Sequence, residues 1–419
     1  MPEPKDLLRQ LADAAIRAAD PAVRVPPILP AQPKKAIVLG AGKASAAMAR
    51  AIEQAWPDTE LSGIVVTRYG YDVECAHIEI VLAAHPVPDD AGREAARRIL
   101  EMAKSAGADD LVIALMSGGG SALLTAPADG ISFADKQEVN RQLLRSGADI
   151  VEMNTIRKHI SAIKGGRLAA AAHPARVLSI LISDVPGDDP AVIGSGPTVP
   201  DPTTFADALA VVEKYQMQLP ESVRRHLEAG ADETPKPDSA VFGGNELVFA
   251  AKPDKSIEAA AEVARAAGYA VVDLGDLVEG EARDVGGEHA ALALKCRDGS
   301  GPAKAPCVIL SGGETTVTMS GNGRGGRNTE YLLGVCARLG GADGIYAVAC
   351  DTDGVDGSED NAGAFIDPTT LARAEATGLS VAAALANNDA YTLFDNTGDL
   401  LVTGPTYTNV NDFRAIVVT

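Results

Sequence analysis

Residues 37–54 read IVLGAGKASAAMARAIEQ. A short apolar run meets a glycine–lysine turn and passes into an alanine-rich stretch. The run predicts a buried strand, and the stretch predicts a helix over 44–54. The same alternation continues outward. Apolar runs at 63–67, 78–82, 111–116 and 177–183 read as strands, and 91–106 reads as another Ala-rich helix. Such alternation predicts a mostly parallel sheet with helices on both faces. Upstream, 6–19 reads as an amphipathic helix with Leu7, Leu8, Leu11 and Ala15 on one stripe, ended by a proline-rich linker over 21–33.

A polar, proline-containing stretch, ADETPKPDS (231–239), sets the expected domain boundary, giving domains 1–238 and 239–419. Beyond it, 240–243, 270–274, 307–310 and 345–349 read as strands, with a helix over 255–267. Two β-rich runs, 400–402 and 415–418, follow. The expected class is α/β: two α/β domains with mostly parallel sheets flanked by helices. The strand leading into SGGGS (117–121) is similar to the one leading into SGGE (311–314), which fits either two related domains or coincidence.

With 419 residues, 46% of them hydrophobic, there is enough apolar material for two cores. The formal net charge of -20 argues against nucleic acid, whose phosphates demand clustered Lys and Arg, and against an anionic membrane surface. An anionic substrate would need a locally basic pocket. Cys75, Cys296, Cys307, Cys336 and Cys350 are odd in number and scattered, so they read as reduced, mostly buried thiols. No signal-peptide pattern or membrane-length apolar run is visible, and a cytoplasmic protein is expected.

Glycine-rich junctions carry the chemistry. In GAGKAS, Gly40 and Gly42 permit close backbone approach, and Lys43 adds a positive charge. The loop lacks the spacing of a Walker A motif, and a tight turn with a solvated lysine reads equally well. In SGGGS, Ser117, Gly118, Gly119, Gly120 and Ser121 suit a nest of N–H groups around phosphate. If 154–167 is helical, Arg157, Ser161 and Lys164 share one face by i, i+4, i+7 spacing, a basic stripe in an acidic chain. Lys158 joins it, and His159 is either a core histidine or a base. Asp184 ends a strand, where a metal-binding or proton-handling carboxylate would sit.

In the second half, Gly312, Gly313 and Glu314 follow a strand. GNGRGG (321–326) formally matches GxGxxG, yet Arg324 and Arg327 point instead to gripping phosphate or carboxylate. Asn328 adjoins them. The loop DTDGVDGSED (351–360), headed by Asp351, could hold Mg²⁺ together with substrate phosphates, or be a solvated acidic turn.

These segments, ordered from residue 37 to 412, resemble the type II glycerate kinases, whose C-terminal half is the MOFRL domain. The matching motifs are GAGKA (40–44), HPVPD (85–89), SGGGSALL (117–124), NTIRKHISAIKGGRLA (154–169), SDVPGDDP (183–190), GSGPT (194–198), SGGET (311–315), GRGGRNTE (323–330), DTDGVDG (351–357) and TGPTYTNVND (403–412). The resemblance implies ATP-dependent phosphorylation of D-glycerate to 2-phosphoglycerate with Mg²⁺, in a Rossmann-like first domain and a MOFRL-type second domain with the site in the cleft between them. It implies catalytic roles for Lys43, Arg327 and Asp184, and metal binding by Asp184 and Asp351. Arg157, Lys158, Ser161, Lys164 and Ser117 would bind substrate. Gly40, Gly42, Gly118, Gly119, Gly120, Ser121, Gly312, Gly313, Glu314 and Asn328 would bind nucleotide phosphates. Tyr407 stands where the family pattern has glycine. A monomer or homodimer is expected. The rival readings are an NAD(P)H-dependent hydroxypyruvate or tartronate-semialdehyde reductase, resting on 321–326, and a non-catalytic small-anion-binding protein.

Overall fold

A computed structural model describes residues 2–419 and separates into two compact units. One is Arg24–Ala250; the other joins the chain up to Val23 with Ala251–Thr419.

In the first unit, β1 (Lys35–Ala41), β2 (Glu60–Arg68), β3 (Ile78–Ala83), β4 (Leu111–Met116), β5 (Arg176–Ile182) and β6 (Glu246–Ala251) form one sheet in the order β3-β2-β1-β4-β5-β6. β1 is parallel to β2 and β4, β2 to β3, and β4 to β5. Strands buried on both faces need continuous apolar runs, and β4 is buried at every position. Ile37, Leu39, Val112, Ala114 and Val177 pack with Ile99 and Ala103 of the helix Asp90–Lys104. That helix starts where it does because the Asp89 carboxylate accepts the Gly92 N–H. The strand order reverses between β1 and β4, so the loops leaving their carboxyl ends border the crevice where such sheets bind ligands.

The expected boundary at 238/239 is displaced to 250/251. The expected strand at 240–243 is a 3₁₀ turn, and β6, missed in the sequence, follows it. Gly244 turns the chain at φ +80°, and the Asn245 amide accepts the Val177 N–H while donating to the Val241 carbonyl. This fastens the segment beside β5 and keeps 231–250 in the first unit.

The second unit contains β7 (Ala270–Asp273), β8 (Gly280–Glu281), β9 (Cys307–Gly313), β10 (Thr315–Thr316), β11 (Ile345–Asp351), β12 (Gly363–Ile366), β13 (Leu400–Leu401) and β14 (Asp412–Val418). Its main sheet runs β13-β12-β11-β14-β9-β7, and β8 and β10 form a separate ladder. In the main sheet only β7 and β9 pair parallel; the other neighbours are antiparallel. The expectation of a mostly parallel sheet therefore holds for the first unit and not for the second. For β11 and β12 the reason lies in the connection: 352–362 contains no helix, and a parallel return needs a long, usually helical crossover.

The helix Pro4–Arg17 belongs to this second unit and not to the N-terminal domain expected of it. Leu7, Leu8 and Leu11 pack with Ile257 and Ala261, and with Leu310, Val348, Phe413 and Ala415 of the sheet. The opposite sheet face, with Ile309, Ala347 and Ile416, covers Tyr331, Leu332 and Ala290. All five cysteines are unbonded, and four are buried. Among the described residues, no helix is long and apolar enough to cross a membrane.

Candidate active site

The loops after β1 and β4 interlock. Lys43 N–H donates to the Gly118 carbonyl at 2.8 Å, Ser117 N–H to the Ala41 carbonyl, and Gly42 N–H to the Val66 carbonyl. The buried Ser117 hydroxyl accepts the Ala44 N–H at 3.0 Å and lies 3.3 Å from the Ser45 hydroxyl. Gly42 is required: its φ is +141°, and a Cβ there would stand 2.1 Å from Ser117 Oγ. Gly40 is needed for the same kind of closeness, since its Cβ would meet the Leu115 carbonyl at 2.5 Å. Glycine at 40 and 42 thus serves strand and loop packing. The N–H groups of Gly42, Lys43, Ala44 and Gly120 are spent inside the protein rather than presented to phosphate. Ser117, expected to touch substrate, is an internal clasp.

Beside this clasp lies a pocket of about 260 Å³, wholly within the first unit. Its lining includes His85, Gly119, Ser121, Lys136, Arg157 and Lys164. A Cβ on Gly119 would come within 3.0 Å of the His85 ring and 3.6 Å of Lys43 Cγ, so the Lys43 stem passes close to Gly119, behind the residues that line the pocket. Lys164 Nζ donates to the Ser121 and Gly194 carbonyls at 2.8 and 3.3 Å. Lys136 Nζ donates to the Ile160 carbonyl at 2.9 Å, and Arg157 Nε contacts Asn140 Oδ1 at 3.4 Å. Among the described residues, no carboxylate lines the pocket. Burial pushes the Lys136 ammonium down to about 7, with Arg157 adding repulsion. Burial, then Lys136 and Arg157, pull Lys164 well below the usual lysine range, and burial lowers Arg157 as well.

Arg157 and Lys164 do meet, but not on one helix face. The helix Ile150–His159 ends before Ser161, and Gly165 and Gly166 follow at φ +59° and +82°. The Ser161 hydroxyl donates to the Ala126 carbonyl and accepts the N–H groups of Ile163 and Lys164, so it shapes a turn and does not face the pocket. Lys158 turns away into a buried ion pair with Asp201 at 3.3 Å and is structural. His159 is a core histidine, held between the Thr155 carbonyl and Glu233. Lys136 was missed in the sequence. Its signal is a lysine on the buried stripe Lys136, Val139 and Leu143 of the helix Phe133–Ser146. Asp184, half-buried, leaves β5 next to the clasp, since Leu181 pairs with Met116.

In the second unit, Arg327 opens the helix Arg327–Leu339. Its Nε donates to Asp412 at 2.8 Å, one Nη to Asp351 at 2.9 Å and to Asn411 at 3.2 Å, and the other to Glu314. Burial alone would lower its pKa, but Asp412, Asp351 and Glu314 outweigh that and raise it. Asn328 Nδ2 donates to Asp412 at 2.7 Å. Gly312 and Gly313 lie within β9 rather than in an open nest. Gly312 N–H donates to the Gly275 carbonyl, and its own carbonyl accepts from Arg414.

The acidic loop 351–360 is largely used by the protein itself. Asp356 accepts the N–H groups of Asn328 and Thr329 at the start of the helix, Glu359 pairs with Arg324, and Asp360 accepts from the Tyr391 hydroxyl. Asp351 takes the Asp353 N–H besides Arg327. Among the described residues, no group of three or more His, Cys, Asp or Glu side chains is placed to hold a metal ion. The residues therefore do not form a cation cage.

Nor is 321–326 a dinucleotide loop. Its N–H groups are committed at Gly321 to Asn388, at Gly323 to the Asn387 carbonyl and at Arg324 to Asp389. Tyr407 adopts φ +59°, the left-handed region where glycine rests without strain.

Comparison with known proteins also divides the chain in two, although the first match begins within the helix Pro4–Arg17 that packs in the second unit. The family described as a domain of unknown function, DUF4147, matches residues 7–228, and the MOFRL family matches residues 307–412. A protein of Agrobacterium vitis bearing the name hydroxypyruvate reductase is 53% identical over 99% of this chain and 94% of its own. The D-glycerate 2-kinase of Thermotoga maritima is 38% identical over 97% of both chains. The crystal structure of a glycerate kinase from Thermotoga maritima superposes with a TM-score of 0.91 at 37% identity, covering 99% of each chain.

Proposed function

Because the chain belongs to the DUF4147–MOFRL family of glycerate kinases, we propose that it is a glycerate 2-kinase, moving the γ-phosphoryl group of ATP to D-glycerate to give 2-phosphoglycerate. The observation that carries this reading is the basic, carboxylate-free pocket opening beside Lys43 in so acidic a chain. Phosphoryl transfer asks a protein mainly for positioning and charge neutralisation.

In this scheme Arg157 and Lys164 hold an anionic reactant. Lys43 neutralises charge growing on the transferring group. The interlocked loops fix the Lys43 backbone and so the point from which its side chain reaches out. Mg²⁺ enters as part of the MgATP substrate, with Asp184 as the proposed protein carboxylate toward it, since Mg²⁺ bound to nucleotide phosphates needs only one or two protein ligands. Arg327 stays a proposed catalytic cation on the family resemblance. The chain is proposed to act in the cytoplasm as a monomer or homodimer.

The name carried by the Agrobacterium vitis relative keeps a reductase as the second reading. Purified protein with MgATP and D-glycerate should release ADP, with NMR placing the phosphate on C2. A parallel run with NADH or NADPH and hydroxypyruvate should be silent. Nicotinamide oxidation without ADP release overturns the kinase.

A further inference from the structure

The buried cations of this chain fall into two groups. Lys158 meets Asp201, and Arg414 meets Asp412. Lys136 and Lys164, exposed by only 2% and 1%, meet backbone carbonyls and no carboxylate, and both border the same pocket as Arg157. Backbone carbonyls compensate a buried ammonium only in part, so such lysines give up protons easily when the pocket is empty and regain charge beside an anion.

We propose that Lys136 is a substrate-binding residue, forming with Lys164 and Arg157 the receptor for the carboxylate of the small hydroxy acid, and so selecting an acid over a neutral polyol. This rests on the kinase reading above. Lys136 spends one of its three N–H donors on Ile160, which aims the ammonium and leaves two for a ligand. Neutral hydrogen-bonding groups, from Gln137, Asn140 and Thr125, line the same pocket and suit the hydroxyls of the acid. At about 260 Å³ the pocket has room for a three-carbon acid.

The test compares the wild-type protein with Lys136→Met. The expected result is a KM for D-glycerate raised roughly 10- to 100-fold, the scale of a charge-assisted hydrogen bond, with the KM for MgATP and kcat at saturation within about twofold. An unchanged KM for glycerate, or a rise in the KM for MgATP instead, overturns the proposal. Because Lys136 also ties two helices together, a second measurement uses the wild-type protein alone. D-glycerate should protect Lys136 from reductive methylation read by mass spectrometry, and glycerol or ATP should not. ADP release without such protection overturns the carboxylate receptor and leaves the kinase standing. Protection without ADP release keeps the receptor and removes the kinase.

Discussion

The hydroxyl of Ser117 accepts the backbone N–H of Ala44 at 3.0 Å, which ties the loop after β4 to the loop that carries Lys43. Replacing Ser117 by Ala leaves that N–H buried without a partner. The expected cost is about 1–3 kcal/mol of stability, seen in urea unfolding, with kcat reduced more than KM. Gly42→Ala is the harsher change, because its Cβ would overlap the Ser117 hydroxyl. It should fail to give stable protein at 37 °C.

Lys43→Ala should lower kcat by roughly 10²- to 10³-fold, the loss seen when one charge-stabilising group is removed, with an unchanged melting temperature. Near-normal turnover would take Lys43 out of the scheme.

Two lysines of the expected stripe should part company. Lys158→Met leaves the buried Asp201 carboxylate with hydrogen bonds from Thr203 and Thr234 but no cation, and should cost about 3 kcal/mol, measured by the urea midpoint, with the KM for glycerate unchanged. Lys164→Met should raise that KM. Restoring charge balance with Lys158→Met together with Asp201→Asn should recover much of the lost stability.

Binding of the acid should depend on pH through Lys136. The groups facing the pocket with it are His85, Arg141, Arg157 and Lys164. Burial holds Lys136 at about 7, so above that pH its amine in the empty pocket is neutral, while the Arg157 guanidinium keeps its charge, and Lys136 must take up a proton to pair with the acid. The KM for D-glycerate should be flat below pH 7 and rise toward tenfold per pH unit above it. The rise near pH 7 should vanish in Lys136→Met.

Asp356→Ala removes the acceptor for the Asn328 and Thr329 N–H groups. It should lower stability by about 1–2 kcal/mol and leave the Mg²⁺ concentration dependence of activity unmoved.

What the sequence made legible was local. IVLGAGKAS announced a strand, a turn and a helix, and β1 with the helix Ser45–Ala55 stands there. The paired cations Arg157 and Lys164 were also within reach, because few lysines and arginines cluster in this chain. Their partner Lys136 lies far off in sequence and meets them only through folding. The stripe failed as geometry because the Gly165–Gly166 pair and the Ser161 turn outweigh helical periodicity. The acids of 351–360 looked like a metal loop, since spacing alone cannot show that Asp356 faces a helix end and Glu359 an arginine. Nor can apolar runs reveal direction, so the antiparallel second sheet read as parallel.

β14 lies between β11 and β9, at the centre of its sheet, while the helix Pro4–Arg17 packs against that same sheet. During synthesis the helix emerges long before its central strand. At 5–20 residues per second, roughly 20–80 s separate them. The unit Arg24–Ala250 can fold on the ribosome in that interval, while the leading helix waits with Leu7, Leu8 and Leu11 uncovered, a natural client for a chaperone. A chain stalled before β14 would hold a sheet lacking the strand that pairs with both β11 and β9.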